Sequence, residues 1–203
     1  MDPSRLSMPL GEAMFTQRAI RRFKRDPIPP ADLELVLEAA VRAPNGGNLQ
    51  PVRFLVVTDT DTIREFGALY REAWWAKRHD EGFRGFEDLP RGFHPAAGLA
   101  DAMGEVPCVV FALAVHDGPA DSVIPAVQNL MLAARALGIG SVPTTLHPSV
   151  MERFHRMFGI PDDVGFHFCV PLGYPQGNFG PNVRKPISKT SFLDRWGAPG
   201  PWA

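Results

Sequence analysis

The segment Gln17-Arg18-Ala19-Ile20-Arg21-Arg22-Phe23 carries a large share of the positive charge of this chain. Together with Lys24 and Arg25 it places five cations within nine residues, whereas the whole chain has a formal net charge of −1. Guanidinium groups bind phosphate through paired, charge-assisted hydrogen bonds, so the segment favours an anionic ligand. A solvated basic surface is the alternative, and this segment alone does not separate the two interpretations.

Two other segments strengthen the ligand interpretation. Residues 43–51 read Ala-Pro-Asn-Gly-Gly-Asn-Leu-Gln-Pro, a turn rich in glycine and asparagine. Residues 177–186 form a loop near the end of the chain that carries Arg184 and Lys185. Asparagine and glycine also form turns without any ligand, so the composition of 43–51 is ambiguous by itself. We expect the three segments to meet around one ligand.

Length and composition indicate one domain over residues 1–203. The chain is 45% hydrophobic and 21% charged, which is ordinary for a globular protein that buries a core. Its near-neutral charge offers no global field that would recruit nucleic acid or an anionic membrane. The first ten residues lack the apolar core of a signal peptide, and no run of about 18 apolar residues predicts a membrane span. We therefore expect a cytoplasmic protein without a nucleic-acid or membrane partner.

Hydrophobic periodicity predicts an α+β fold. Residues 106–115 form an apolar run typical of a central strand, ended by Asp117-Gly118-Pro119. Asp121 or Ser122 is predicted to cap the helix that follows. Cys108 lies in this strand and Cys169 in a later one, which predicts buried, reduced thiols and no metal site. The pattern predicts helices near 10–17, 29–43, 59–77, 121–137 and 148–158, and strands near 53–58, 106–115 and 166–172.

The parts outside these elements differ in composition. Residues 1–9 are polar and broken by proline, which predicts a loose N-terminal arm, and residues 187–203 form a C-terminal tail. Residues 78–105 combine glycine and proline with aromatic side chains and show no clear period. A loop of that length inside a compact domain is functional or disordered, and aromatic residues argue against disorder. We interpret residues 78–105 as a mobile cover over a site.

Taken in order, these motifs resemble the nitroreductase family of FMN flavoproteins. The resemblance covers residues 10–197 and implies an antiparallel central sheet wrapped by helices, in an intertwined homodimer. It implies two FMN sites at the dimer interface, each built from both subunits. The motifs that carry the resemblance are Arg18-Ala19-Ile20-Arg21-Arg22-Phe23, residues 43–51, Leu137-Gly138-Ile139-Gly140, Gly173-Tyr174-Pro175, Arg184-Lys185-Pro186 and Asp194-Arg195-Trp196-Gly197.

The resemblance also implies where FMN would bind. The basic segment would hold the phosphate, the ribityl chain and the pyrimidine edge of the flavin, and a basic pair near the C-terminus would assist the phosphate. The glycine-rich turn would line the flavin from the partner subunit, and a connection after the long helix would face the ring and its N5 atom. The cofactor-binding positions are then Gln17, Arg18, Ala19 and Arg21; Pro44, Asn45, Gly46 and Asn48; Thr144, Thr145 and Leu146; and Arg184 with Lys185.

Some positions depart from the family pattern. Gln17 and Ala19 stand where the family usually has arginine and serine, which shifts the expected phosphate binding toward Arg18 and the C-terminal loop. Family members often carry glutamate near Thr145, so the electrostatics around N5 are expected to differ. No side chain is assigned as catalytic, because the flavin does the redox chemistry and the backbone of Thr144 and Thr145 would only face N5.

The function implied is that of an FMN-dependent oxidoreductase. NADH or NADPH would reduce the flavin and leave, and a nitroaromatic, quinone or related small acceptor would follow in a ping-pong scheme. The alternatives are a flavin- or deazaflavin-binding protein without nicotinamide-linked turnover, and a flavin-processing or dehalogenating member of the family. The sequence shows no Ser/His/Asp arrangement, metal-ligand spacing or phosphate-binding glycine loop that would favour another class of enzyme.

Overall fold

Helices and strands follow one another largely as the periodicity predicts. The computed structural model describes residues 2–115 and 118–202. Met1 and Ala203, at the outer ends of the expected arm and tail, lie outside the described residues, as does Asp117 in the expected break. The elements are α1 (Leu10–Thr16), α2 (Pro30–Val41), β1 (Val52–Val57), α3 (Thr60–Asp80), α4 (His94–Ala102), β2 (Cys108–Val115), α5 (Ala120–Ala136), β3 (Gly140–Ser141), α6 (Met151–Phe158) and β4 (Val164–Gly173).

The sheet is antiparallel throughout and is built around β2. Its strand order is β1-β2-β4-β3, so β2 has a neighbour on each side. Successive side chains of a strand point to opposite faces. Val109 and Phe111 accordingly enter one core, while Val110 and Ala112 enter the other. Every residue of β2 except Val115 is buried. The predicted central strand and the predicted antiparallel sheet are confirmed.

Helices cover both faces of this sheet. On one face, α3, α4 and α6 pack Phe66, Leu99 and Phe154 into the core that contains Phe111. On the other face, α2 and α5 contribute buried side chains such as Val36. The arrangement agrees with the predicted α+β class. None of the helices in the described part of the chain has the length and hydropathy that a bilayer crossing demands.

The segment 78–105 is more regular than its composition indicated. Helix α3 continues to Asp80, and His94–Ala102 forms α4, whose Ala97, Leu99 and Ala100 are buried. The expectation of one long irregular loop was therefore wrong. The glycine and aromatic residues that suggested it occupy residues 81–93, with two short 3-10 turns. Because these residues directly precede α4, the helical spacing of the apolar residues in α4 is hard to detect in the sequence.

Two further expectations need correction. Helix α5 begins at Ala120 after Pro119, without a side-chain cap, so neither Asp121 nor Ser122 is its N-cap. The hydroxyl of Ser122 instead accepts a hydrogen bond from the Gly46 N–H at 3.3 Å. The N-terminal arm is also held in place, since the Arg5 guanidinium pairs with the Asp32 carboxylate.

Helix α3 meets the turn Met103–Glu105 so closely that both contact positions are glycine. A Cβ atom built on Gly67 would lie 2.4 Å from the Cα atom of Gly104, closer than carbon atoms approach. We expect Gly67→Ala to destabilise the protein by about 1–3 kcal/mol, because the helix must move outward. Gly98→Ala on α4 is the matched control, since nothing lies within 4 Å of the added atom. Thermal unfolding of both variants checks this, and equal Tm values would contradict the close packing.

Candidate functional site

The basic segment is fixed by its backbone to the edge of the sheet. The Ile20 N–H donates to the Ser141 carbonyl at 3.0 Å, and the Lys24 N–H donates to the Tyr174 carbonyl at 2.8 Å. The Gln176 N–H donates to the Arg22 carbonyl at 3.0 Å. These bonds hold the segment between β3 and the chain that leaves β4. Its arginines therefore project from a supported strand-like backbone.

Glycine allows this close approach. A Cβ atom on Gly140 would lie 2.8 Å from the Ile20 side chain, and one on Gly173 would lie 2.9 Å from Pro107 and 3.1 Å from Phe23. The two glycines belong to motifs that carried the family resemblance. Their role in the structure is to let residues 20–23 lie against β3 and β4.

A cavity of about 340 Å³ opens beside the basic segment. It is lined by residues 18–22, by Pro95 at the start of α4 and by residues 175–178 after β4. Of the predicted cofactor-binding residues, Arg18, Ala19 and Arg21 line this cavity. The volume is within the range of small-molecule sites in proteins.

Three arginines of this cavity are electrostatically uncompensated. In the part of the chain that the structure describes, Arg18, Arg21 and Arg22 make no ion pair, whereas Arg25 pairs with Glu105 at 2.6 Å. Arg18 reaches the C-terminal loop, because a Cβ atom on Gly180 would lie 3.3 Å from its Nη1 atom. Unpaired guanidinium groups around a cavity are well suited to bind an anionic ligand.

The connection after β3 offers fewer free backbone groups than expected. The Thr144 N–H donates to the Cys169 carbonyl at 2.8 Å, and the Cys169 N–H donates back to the Thr144 carbonyl at 2.8 Å. The Thr144 backbone is therefore engaged within the sheet. Within the described residues, the Thr145 N–H makes no hydrogen bond and its residue is exposed. Of the two predicted backbone donors, only Thr145 is available, and Leu146 is buried in the core beneath.

Tyr70 lies under this connection and was not anticipated from the sequence. Its hydroxyl group is 2.8 Å from the Thr144 Oγ1 atom. Burial raises the pKa of Tyr70 above its ordinary value of 10, while the nearby charges of Arg21 and Arg78 act in the opposite direction. The tyrosine therefore stays neutral at physiological pH. The bridge between Ala19 and Ser141 places the basic segment beside the start of this connection.

The glycine-rich turn lies elsewhere in the chain. Gly47, Asn48 and Gln50 have positive φ angles of 57°, 55° and 49°, and the Asn45 Oδ1 atom accepts the Gln50 N–H at 2.8 Å. These angles and this hydrogen bond define the conformation of the turn. Pro44, Gly46 and Asn48 are exposed, and Asn45 is half-buried.

Helix α5 separates the turn from the basic segment. The turn contacts Ser122 in the first part of this helix, whereas the Gln17 side chain lies 3.7 Å from the Met131 sulfur. Nine residues of α-helix correspond to about 13 Å. Within one chain, the turn therefore borders a separate cavity with Ser122 and does not line the cavity beside the basic segment.

The basic pair of the C-terminal loop also stays outside the cavity lining. Arg184 is exposed and donates from Nη1 to the neighbouring Val183 carbonyl at 2.8 Å, and Lys185 is exposed as well. Gln176 and Asn178 line the cavity instead. The polar run directly after Gly173-Tyr174-Pro175 is the sequence signal that could have identified them.

A Ser/His/Asp arrangement exists that the sequence did not suggest. His147 Nδ1 lies 2.8 Å from Ser149 Oγ, and His147 Nε2 lies 2.9 Å from Asp80 Oδ2. Asp80 is distant in sequence, which explains why spacing did not reveal the group. The Ser149 backbone N–H also donates to Nδ1, at 3.3 Å, so His147 caps the turn Pro148–Val150. The arrangement is therefore a cap of this turn, and the contact between His147 and Asp80 connects it to the end of α3.

Comparison with known proteins identifies relatives of the whole domain. The Nitroreductase family profile matches residues 15–174. An NADH dehydrogenase of Thermus thermophilus is 31% identical over 194 residues, which cover 87% of this chain and 92% of the relative. An iodotyrosine deiodinase of Thermotoga neapolitana is 29% identical over 161 residues, which cover 78% of this chain and 84% of that protein.

A solved structure agrees with the same assignment. The crystal structure of an oxidized iodotyrosine deiodinase bound to FMN and 3-iodo-L-tyrosine superimposes with a TM-score of 0.74 at 26% identity. The superposition covers 94% of this chain and 100% of that one. The architecture described above is thus shared by a flavoprotein, and the sheet and its helices align over nearly their full length.

Proposed function

Since this chain belongs to the Nitroreductase family, we propose that it is an FMN-dependent oxidoreductase that uses NADH or NADPH to reduce small acceptors. Nitroaromatics, quinones and related compounds are the acceptor class. The observation that supports this most directly is the cavity beside the basic segment, whose three arginines have no ionic partner within residues 2–115 and 118–202.

The residues present suit FMN, which combines a phosphate group with a planar ring system. Arg18, which extends to the C-terminal loop, would bind the phosphate. Arg21 is half-buried close to Tyr70 and would lie at the pyrimidine edge. The Thr145 N–H is the donor that remains for N5. Gln17 and Ala19 would contact FMN and help to shape the cavity, but they would add no charge.

When bound, FMN supplies the electron transfer itself, and the protein contributes binding, orientation and electrostatics. The positive charge of Arg21 would stabilise negative charge that develops at the pyrimidine edge. Tyr70 fixes the Thr144 hydroxyl and so holds the connection to which Thr145 belongs. No side chain in this arrangement needs to act as a general base. Donor and acceptor would occupy the open face of the cavity in turn, which is a ping-pong scheme.

We also propose a homodimer, in which the turn of one subunit completes the cavity of the other. The accessible surface is 11833 Å², about a quarter above the roughly 9,400 Å² expected for a compact monomer of this mass. Exposed apolar side chains support a second copy as the cover. They lie on α1, on the glycine-rich turn, on α5, in the C-terminal loop and in the tail, and include Phe15, Leu49, Ile124, Val183 and Trp196.

A visible absorption spectrum of the purified protein tests the function. We expect a bound-flavin spectrum that bleaches when NADH or NADPH is added without oxygen, and a sedimentation mass twice that of the chain. A flavin spectrum that neither nucleotide bleaches would favour a binding protein without nicotinamide-linked turnover. A protein that takes up no added FMN would overturn the proposal.

Reductive dehalogenation is a second candidate, because two relatives are iodotyrosine deiodinases. The same reduced protein separates the two reactions. Release of iodide from 3-iodo-L-tyrosine, with little reduction of nitroaromatics, would favour dehalogenation. Rapid reduction of nitroaromatics without iodide release would favour the proposed reductase.

A further inference from the structure

We propose that Arg78 binds the carboxylate of an aromatic electron acceptor, so that the enzyme prefers anionic acceptors to neutral ones of the same shape. The inference rests on the proposed function and adds the substrate class. It starts from the state of the Arg78 side chain, which is 6% exposed and lies near the end of α3.

Arg78 is a buried cation with too few partners. Its Nη2 atom donates to Glu81 Oε1 at 2.8 Å. Its Nε atom is sealed from solvent and has no hydrogen-bond partner, and it is the only such buried side-chain atom in the described residues. Leaving a buried charged donor unsatisfied is costly, and native proteins rarely do so without a functional reason.

Two aromatic rings enclose the guanidinium group. Its central carbon lies 5.2 Å from the centre of the Trp74 ring and 4.7 Å from the centre of the Phe93 ring. Cation–π contacts of this kind hold the guanidinium plane in place and leave its N–H edge for an acceptor. The rings also suit a flat aromatic ligand. The surroundings of Arg78 therefore match an aromatic carboxylate in both charge and shape.

The position of Arg78 connects it to the cavity. Tyr70, Trp74 and Arg78 follow one another at four-residue spacing on one face of α3. Helical side chains lean toward the N-terminus of their helix, so the Arg78 guanidinium extends toward Trp74 and Tyr70. Tyr70 contacts Thr144, and Phe93 lies two residues before Pro95, which lines the cavity. Arg78 thus lies against Phe93 at the end of residues 81–93, and the chain from Phe93 to Pro95 connects this position to the cavity wall.

Glu81 occupies the place that we assign to the ligand carboxylate. Its side chain is 40% exposed, so water can solvate the Glu81 carboxylate when a ligand carboxylate takes over its pairing with the buried Arg78. Glu81 can therefore turn into solvent when a ligand carboxylate arrives. A neutral acceptor has no carboxylate that could replace that of Glu81, so Arg78 remains paired with Glu81. This difference is the physical origin of the proposed selectivity.

The wild-type FMN-loaded enzyme provides the first test. The values of kcat/KM are measured for 4-nitrobenzoate and 4-nitrobenzamide, which share size and ring but differ in charge. We expect a preference of about tenfold or more for the carboxylate, as charge-assisted hydrogen bonds provide. Equal kcat/KM values for the two compounds, or a higher value for the amide, would overturn the assignment of Arg78. This test requires no variant.

Variants then show whether Arg78 is responsible. Arg78→Gln is expected to lower the ratio of the two kcat/KM values by about tenfold. Arg78→Lys is expected to lower this ratio by less, because lysine keeps the positive charge but lacks the planar guanidinium group that binds a carboxylate through two hydrogen bonds. Arg71→Gln is the control, since Arg71 lies on the same helix in an exposed pair with Asp101. Equal loss with both acceptors would indicate a structural role and overturn the proposal. A rise in the KM of NADH or NADPH alone would assign Arg78 to the donor phosphates and also overturn it.

A binding measurement separates this inference from the proposed function. Calorimetric titration of the oxidized, FMN-loaded protein with 4-nitrobenzoate requires no turnover. We expect binding that Arg78→Gln weakens about tenfold. A protein that binds FMN and reacts with nicotinamide, yet binds 4-nitrobenzoate no better than 4-nitrobenzamide, contradicts the role of Arg78 only. A protein that does not bind FMN contradicts the proposed function itself.

Discussion

Replacing Arg18 and Arg21 together with alanine is expected to raise the Kd for FMN by about 100-fold or more. Each charge-assisted hydrogen bond contributes roughly 1.5–3 kcal/mol. Both side chains line the cavity, and neither has an ionic partner in the part of the chain that the structure describes. Loss of the two together therefore removes most of the electrostatic attraction for the phosphate and the flavin. Fluorescence quenching of FMN during titration with apoprotein measures the change.

The control for this experiment must have the same change in net charge. Arg64→Ala with Arg71→Ala meets that condition, because both arginines lie on α3 in exposed ion pairs with Asp61 and Asp101. We expect the control to keep the Kd within a few-fold of the wild-type value. Equal weakening in the two double variants would mean that long-range charge, and not the cavity, binds the cofactor.

Alkaline pH is expected to destabilise the protein strongly between about pH 9 and pH 12. Burial raises the pKa of the Cys108 thiol from 9.0 to about 12, and it raises the pKa values of Cys169 and Tyr70 as well. The folded state keeps protons that the unfolded chain releases, so stability is complete below pH 9 and falls above it. At pH 11 the Cys108 thiol alone would cost roughly 3 kcal/mol, and the Cys169 thiol adds to this loss.

Urea denaturation at pH 8, 9, 10 and 11 under reducing conditions measures this loss. A cost of that size is a large fraction of the total stability of many domains, about 5–15 kcal/mol. The variant with Cys108→Ala and Cys169→Ala should lose much less between pH 8 and pH 11, because the two buried thiols no longer contribute. Parallel curves for the variant and the wild type would show that the thiols are not the cause.

Regular elements were predictable where burial imposes a period on the sequence. Strand β2 is buried on both faces and reads as a continuous apolar run, and α2 repeats its apolar residues at helical spacing. The basic segment was predictable because five cations within nine residues are unusual in a chain of net charge −1. In contrast, α4 was missed because the aromatic and glycine residues before it obscure a short apolar period.

Long-range pairs could not be predicted from the sequence. Tyr70 and Thr144 are 74 residues apart, and nothing local indicates that their hydroxyl groups meet. Arg78 occurs in the polar run Lys77-Arg78-His79-Asp80, which is typical of an exposed helix end, although Trp74 and Phe93 enclose it. The family resemblance also implied that the backbones of Thr144 and Thr145 were equally suitable to face N5. Only the bridge between Thr144 and Cys169 distinguishes them.

Helix α5 keeps the glycine-rich turn and the basic segment of one chain apart. In the proposed dimer, each site would therefore take these two parts from different polypeptides. A chain with a damaged basic segment and a chain with a damaged turn would each form inactive homodimers. In a mixed dimer the two intact parts would meet at one site, while both damaged parts would meet at the other. Two defective alleles of this gene would then restore activity to each other when expressed in the same cell.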